Sequence, residues 1–339
     1  MEAKSKLETA NFYTATDIPD NLPRLTQADR LVLLGSCFAT NMGTRLQDAK
    51  FHCEVNPYGV LYNPFSISAA LREMLSEKEY VEEDLFQSRG LWHSAMHHGM
   101  FSAEKAEDVL EAINRRLRSA RRMLKNGPDC LLITFGTARV YEEKKTGRVV
   151  GNCHKLPERE FIRRKLSVDE IVADYTSLLS GMWMSSPGMK VVFTVSPIRH
   201  VRDGMHANRL SKATLLLAVD ALQNAFPEKV CYFPAYELLL DELRDYRFYA
   251  EDMVHPSEVA VRYIWERFSR ACFTAEALQI MEECENIRKS LSHKPFYPSS
   301  DEYKRFLGQI VLKIDQLNGK YPYLDFQKER EICHTRLKA

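Results

Sequence analysis

The chain of 339 residues has almost no net charge: 47 Lys and Arg stand against 46 Asp and Glu, leaving +1. A nucleic acid or an anionic membrane would favour a concentrated positive surface, so neither is an expected partner. Long apolar runs are missing too. No stretch is long and apolar enough to span a bilayer, and the opening Met1-Glu-Ala-Lys-Ser-Lys-Leu-Glu has no apolar centre of the kind a secretion signal needs. The expectation is a soluble, cytoplasmic protein. None of the eight cysteines is spaced C-x-x-C, and Cys and His are not clustered, so the sequence holds no zinc signal. Several, such as Cys130 and Cys231, sit inside apolar runs and read as buried free thiols in a reducing compartment. Internal repeats and low-complexity segments are also absent.

What is present is an apolar content of 45%, enough for a sizeable core. Short apolar runs alternate with longer helical stretches, the pattern of βαβ units around a parallel sheet. The predicted strands are 31–34, 51–55, 130–135, 191–195 and 230–233. Between them, residues 38–49, 103–125, 168–184, 210–226 and 256–272 repeat apolar positions at helical spacing. The last of these is expected to open with Pro256 at its first helical position. The run Arg115, Arg116, Arg118, Arg121, Arg122 alternates with an apolar stripe and is read as a solvated face. Beyond residue 273 the strands cease. Residues 275–290 and 302–317 read as helices, and the charged stretch 327–339 is expected to fray. The chain thus divides into an α/β domain over 1–274 and a helical extension over 275–339.

One constellation carries chemistry. The buried run Leu31-Val-Leu-Leu ends in Gly35-Ser36 and passes into a helix. A serine there sits at the carboxyl end of a first strand, where active sites of open α/β sheets lie, and at a helix N-terminus, which favours negative charge. Taken alone, Ser36 is equally well read as a helix cap. The second piece is Asp252-Met-Val-His255-Pro256. The residue before a proline is held extended, so His255 projects from its loop, with Asp252 placed to fix its tautomer. Cys37 offers a thiol alternative, but as the next residue along it points away from the direction of Ser36.

Gly35-Ser-Cys-Phe-Ala39 is the signature of the GSCFA family, and the sequence resembles that family through four further stretches. These are Asn152-Cys-His-Lys155, Thr194-Val-Ser-Pro-Ile-Arg-His200, Tyr232-Phe-Pro-Ala-Tyr-Glu237 and Leu243-Arg-Asp-Tyr-Arg-Phe-Tyr249. The resemblance covers roughly residues 25–270. The family looks like a branch of the SGNH (GDSL-like) hydrolases. That implies a flavodoxin-like three-layer α/β sandwich with a five-stranded parallel sheet, with Ser36 as nucleophile and Asp252 and His255 as its partners. It implies an oxyanion hole built from the backbone N–H groups of Ser36 and Gly59. The Asn that such enzymes carry after the third strand is replaced here by Ala138, in Thr134-Phe-Gly-Thr-Ala138. A lost oxyanion donor costs about 10²–10³ in rate unless replaced. Asn152 is the candidate substitute.

Rim candidates are Arg199 and His200 after the fourth strand, with His154, Lys155, Tyr141 and Trp92. Arg199 suits a carboxylate or sugar-acid group, because its fork matches planar anions; the alternative is a structural arginine bridging loops. His97 and His98 fall in an aromatic-rich loop, read as a packed surface loop or as a cover for the cleft. The expected reaction is ester hydrolysis through an acyl-serine, with an O-acetyl or O-acyl ester on a carbohydrate as first choice. It requires no metal or organic cofactor. The competing readings are a non-catalytic carbohydrate-binding or scaffold protein on a degenerate hydrolase fold, and an acyltransferase using the same residues.

Overall fold

A computed structural model describes residues 13–293 and 295–338. Its centre is a sheet of five parallel strands, β1 (Arg30–Gly35), β2 (His52–Val55), β3 (Cys130–Phe135), β4 (Lys190–Val195) and β5 (Val230–Tyr232). Their order is β2-β1-β3-β4-β5, the doubly wound order of flavodoxin-like folds. The strands lie within two residues of the predicted bounds. The inner strands are legible by their apolar runs, residues 31–34, 130–133 and 191–193, because both faces of the sheet are covered there.

The pleat divides the core in two. Val32, Leu34, Leu131, Ile133, Val191 and Phe193 point to one face. There they meet the helices α2 (Pro64–Leu75), α3 (Ala106–Lys125), α4 (Val168–Ser185) and α5 (Met205–Ala225). Leu31, Leu33, Leu132 and Val192 point to the other, against α1 (Cys37–Asp48) and α6 (Glu258–Cys272). This is the expected three-layer sandwich. The helix α6 begins two residues later than the sequence suggests. Ser257 caps it by accepting from the Ala260 N–H, so Pro256 stands outside its first turn. On the opposite face, α5 starts earlier than predicted, at Met205 after Gly204.

Two antiparallel hairpins and α2 escaped the sequence reading. Leu85–Ser88 pairs with Leu91–Ser94 through Arg89-Gly90, both at positive φ as a two-residue primed turn requires. Arg139–Glu143 pairs with Phe161–Lys165. The arginine run on α3 is only partly solvated. Arg115 and Arg118 are exposed, whereas Arg121 is buried and Arg116 reaches Glu54 at 2.7 Å.

The helices α7 (Ala275–Ser292), α8 (Asp301–Lys320) and α9 (Gln327–Lys338) share an apolar cluster of their own around Cys284, Leu307, Ile314, Phe326 and Cys333. The stretch expected to fray is the ordered helix α9. Cys333 is fully buried in that cluster, and Glu329 holds Lys50 at 2.7 Å. His52 Nε2, on β2, lies 2.9 Å from the Tyr323 carbonyl oxygen. Truncating a fully buried aliphatic side chain costs about 2–5 kcal/mol. Ile314→Ala is therefore expected to lower the unfolding free energy by that amount, read from urea titrations followed by circular dichroism.

Candidate active site

Ser36 follows β1 at the point where the strand order reverses, the crevice position of doubly wound sheets. Gly35 makes the turn possible. Its φ is +141°, and a Cβ there would lie 2.2 Å from the Thr134 carbonyl oxygen. The Ser36 N–H donates to that same oxygen at 3.3 Å. Ser36 Oγ caps α1 by accepting from the Phe38 N–H at 3.3 Å, and the residue is 1% exposed, in the wall of a cleft. Asn56, unmarked in the sequence reading, clamps this turn. Its Oδ1 accepts from the Gly35 N–H at 2.8 Å while its Nδ2 donates to Thr40 Oγ1 at 2.9 Å.

Asp252 and His255 stand on the loop before α6. His255 Nδ1 lies 2.6 Å from Asp252 Oδ2, and the backbone N–H groups of Val254 and His255 both donate to Asp252 Oδ1 at 2.9 Å. These hydrogen bonds, led by that from the His255 N–H, hold the Asp252 carboxyl down at about 2. A carboxylate accepts only, so Nδ1 carries a proton, and of the two neutral tautomers this contact selects the one with its lone pair on Nε2. Ser36 and His255 line one cleft of about 800 Å³. Among the described residues their side chains do not hydrogen-bond to each other.

The loop after β4 steadies this arrangement. Arg199 donates to the Met253 carbonyl at 3.4 Å and to Tyr249 Oη at 2.8 Å, and its guanidinium lies 4.2 Å from the Tyr249 ring centroid. Met253 itself holds φ +56°. His200 lines the cleft, and burial first, then Lys212, Arg163 and His255, push it down to about 4, so its ring is neutral. Lys212 lies fully buried beneath, donating to the carbonyls of Gly136 at 2.6 Å and Ser196 at 2.5 Å. It ties the β3 and β4 loops together. Nothing in the sequence marks it, since lysine within a helix ordinarily faces water.

The remaining candidates divide. Tyr141 and Asn152 line the cleft with Ser36. Asn152 Oδ1 accepts from the His154 N–H at 2.9 Å, which fixes the amide and leaves Nδ2 without a protein acceptor among the described residues. His154 sits behind this wall, its Nε2 2.8 Å from the Ser94 carbonyl oxygen and its ring 4.4 Å from that of His93. Lys155 lines the cleft; Trp92 packs against the core. Gly59 is buried outside the lining, and its N–H donates to the Asn56 carbonyl at 2.8 Å. After β3, the N–H groups of Gly136 and Thr137 both donate to the Tyr62 carbonyl. His98 lines the cleft, whereas His97 is buried, stacked at 4.3 Å on Tyr58. Cys37 Sγ faces Tyr62 Oη at 3.8 Å. Among the described residues, no three His, Cys, Asp or Glu side chains are grouped to hold a metal, and no helix is long and apolar enough to cross a membrane.

The sequence profile of the GSCFA family matches residues 30–268, more than half of the chain. The chain belongs to the GSCFA family. The profile of the GSCFA domain protein, C-terminal domain, matches residues 284–339. No curated protein matches the sequence. Two solved structures are similar at low level. One is an acetyl xylan esterase from the rumen bacterium Butyrivibrio proteoclasticus, with TM-score 0.34 and 10% identity over 72% of this chain. This GSCFA chain spans 64% of that esterase's length. The other is a carbohydrate esterase family 3 protein from Talaromyces cellulolyticus, with TM-score 0.28 and 15% identity over 75% of this chain and 99% of that one.

Burial lowers Lys212 from 10.5 to about 7. The unfolded chain therefore binds the extra proton between about 7 and 10, and stability rises with pH across that window. Lys212→Met removes this dependence. Urea midpoints at pH 7 and pH 9.5 are expected to rise together with pH in wild type and to show no such lysine-linked rise in the variant.

Proposed function

We propose that this GSCFA protein is a serine hydrolase of SGNH type that cleaves an ester, an O-acetyl or O-acyl group on a carbohydrate. The supporting observation is that Ser36, at the N-terminus of α1, shares one cleft with a His255 whose Nδ1 is already committed to Asp252. In this reading His255 Nε2 takes the Ser36 Oγ proton as Oγ bonds to the acyl carbon. The tetrahedral oxyanion then collapses, the bond to the sugar oxygen breaks, and that oxygen takes the proton from His255. Water next attacks the acyl-serine, giving its proton to His255, and the acid leaves as Ser36 is restored. Ser36 Oγ accepts from the Phe38 N–H and keeps its own O–H to donate; for this it must come within hydrogen-bond reach of His255 Nε2, a tightening of the kind that substrate binding commonly produces.

The oxyanion falls to Asn152 Nδ2, whose orientation is set by the His154 N–H, and to the Ser36 N–H once it leaves the Thr134 carbonyl. Gly59 contributes only if its N–H leaves the Asn56 carbonyl. Transfer of the acyl group to an acceptor other than water uses the same groups. The cap on Ser36 Oγ is what a non-catalytic sugar-binding protein on this fold would also show.

A fluorophosphonate probe is expected to label wild type and neither Ser36→Ala nor His255→Ala, read on a gel; an unlabelled wild type would favour the binding protein. Asp252→Asn is expected to lower kcat by about 10²–10⁴. Asn152→Ala is expected to lower kcat by about 10²–10³, and unchanged kinetics would remove Asn152 from the oxyanion hole.

A further inference from the structure

The cleft carries a charge that hydrolysis of a neutral ester does not need. Arg139, Lys155, Arg163, Arg199 and Arg202 line it, against the carboxylates of Asp203 and Glu158. The chain as a whole is balanced to +1, so this excess is a local arrangement and not the overflow of a basic protein. The pairings show where charge stays unmatched. Arg139 and Arg163 share the single buried carboxylate of Asp203, whose side chain is 3% exposed. Arg202 meets Glu158 at the exposed rim. Arg199 has aromatic and carbonyl partners but no carboxylate. Lys155 lines the same space, and among the described residues no carboxylate lies within ion-pair reach of it.

A concave site lined by one sign of charge focuses its field and concentrates ligands of the opposite sign. Arginines bind carboxylates strongly because their fork matches both oxygens. The hairpin wall also brings a ring to the cleft: Tyr141 lines it, with the Arg163 guanidinium 5.3 Å from its ring centroid. We infer that the substrate carries a negative charge of its own, the carboxylate of a sugar acid, held by the cationic excess of the cleft about the unpaired Lys155 while the ester lies at Ser36. This rests on the esterase reading for the reaction but not for the binding.

The test compares mono-O-acetylated glucuronate with mono-O-acetylated glucose, which differ in the carboxylate alone. The acid is expected to show kcat/KM about tenfold higher at low ionic strength, with the advantage shrinking in ~0.5 M NaCl. The double variant Lys155→Glu, Arg202→Glu is expected to bring that ratio towards one. Equal kcat/KM for the two esters in wild type overturns the inference and leaves the esterase standing. If neither ester is cut and the fluorophosphonate finds no serine, the esterase reading falls. Calorimetry with free glucuronate and free glucose then decides the anion site by itself. Heat from glucuronate alone upholds it, and equal or absent heats overturn it.

Discussion

The site depends on the close approach of two strand ends. Because residue 35 has no side chain, the backbone after β1 passes so near β3 that a Cβ would overlap the Thr134 carbonyl. That approach lets the Ser36 N–H reach Thr134, the Leu61 N–H reach the Gly35 carbonyl, and Asn56 reach the Gly35 N–H. Three residues from two segments, the loop after β2 and the end of β3, thus hold one turn. Each bond is worth only about 1 kcal/mol net, but a buried partner left unmade costs about 1–3 kcal/mol. Geometry at Ser36 is therefore enforced chiefly by the penalty for abandoning it.

A second path of contacts fixes the other half of the site. The buried amine of Lys212 bridges Gly136 and Ser196 at the ends of β3 and β4. In its neutral form the amine has two N–H donors, matched by these two carbonyls. From Ser196 the chain runs to Arg199, which grips Tyr249 and Met253 and so steadies the turn that offers His255. Serine and histidine come from opposite ends of the sequence. They line one cleft because the β3 and β4 loops between them are pinned from below.

The sheet was legible because strands buried on both faces are largely apolar, as residues 130–133 are. The turn at Ser36 and the loop that carries Asp252 and His255 were legible because their neighbours, a glycine before and a proline after, announce unusual backbone. Other parts were hidden for physical reasons. The hairpin Arg139–Glu143 with Phe161–Lys165 is rich in charge and joins segments far apart in sequence, so no local period reveals it. In α9 the single buried Cys333 is outnumbered by exposed polar residues. Asn56 and Lys212 act through burial, which composition does not show. Arg199 was expected at the rim for a substrate anion, with loop bridging as the alternative; its guanidinium meets the loop that carries His255. The helix α2 carried its own signals, Asn63 as cap and Pro64 at the first position, and they went unread.

The contact between the last helices and β2 has a consequence for the behaviour of the chain in a crowded solution. An open sheet has two borders, each a row of unpaired amides and carbonyls able to template another strand. Here the β5 border is only three residues long, too short to template much. At the β2 border, Tyr323, Phe326 and Glu329 sit against Lys50 and His52. The helical segment thus serves as a bumper against edge-to-edge aggregation, and a chain shorn of it would present β2 as sticky.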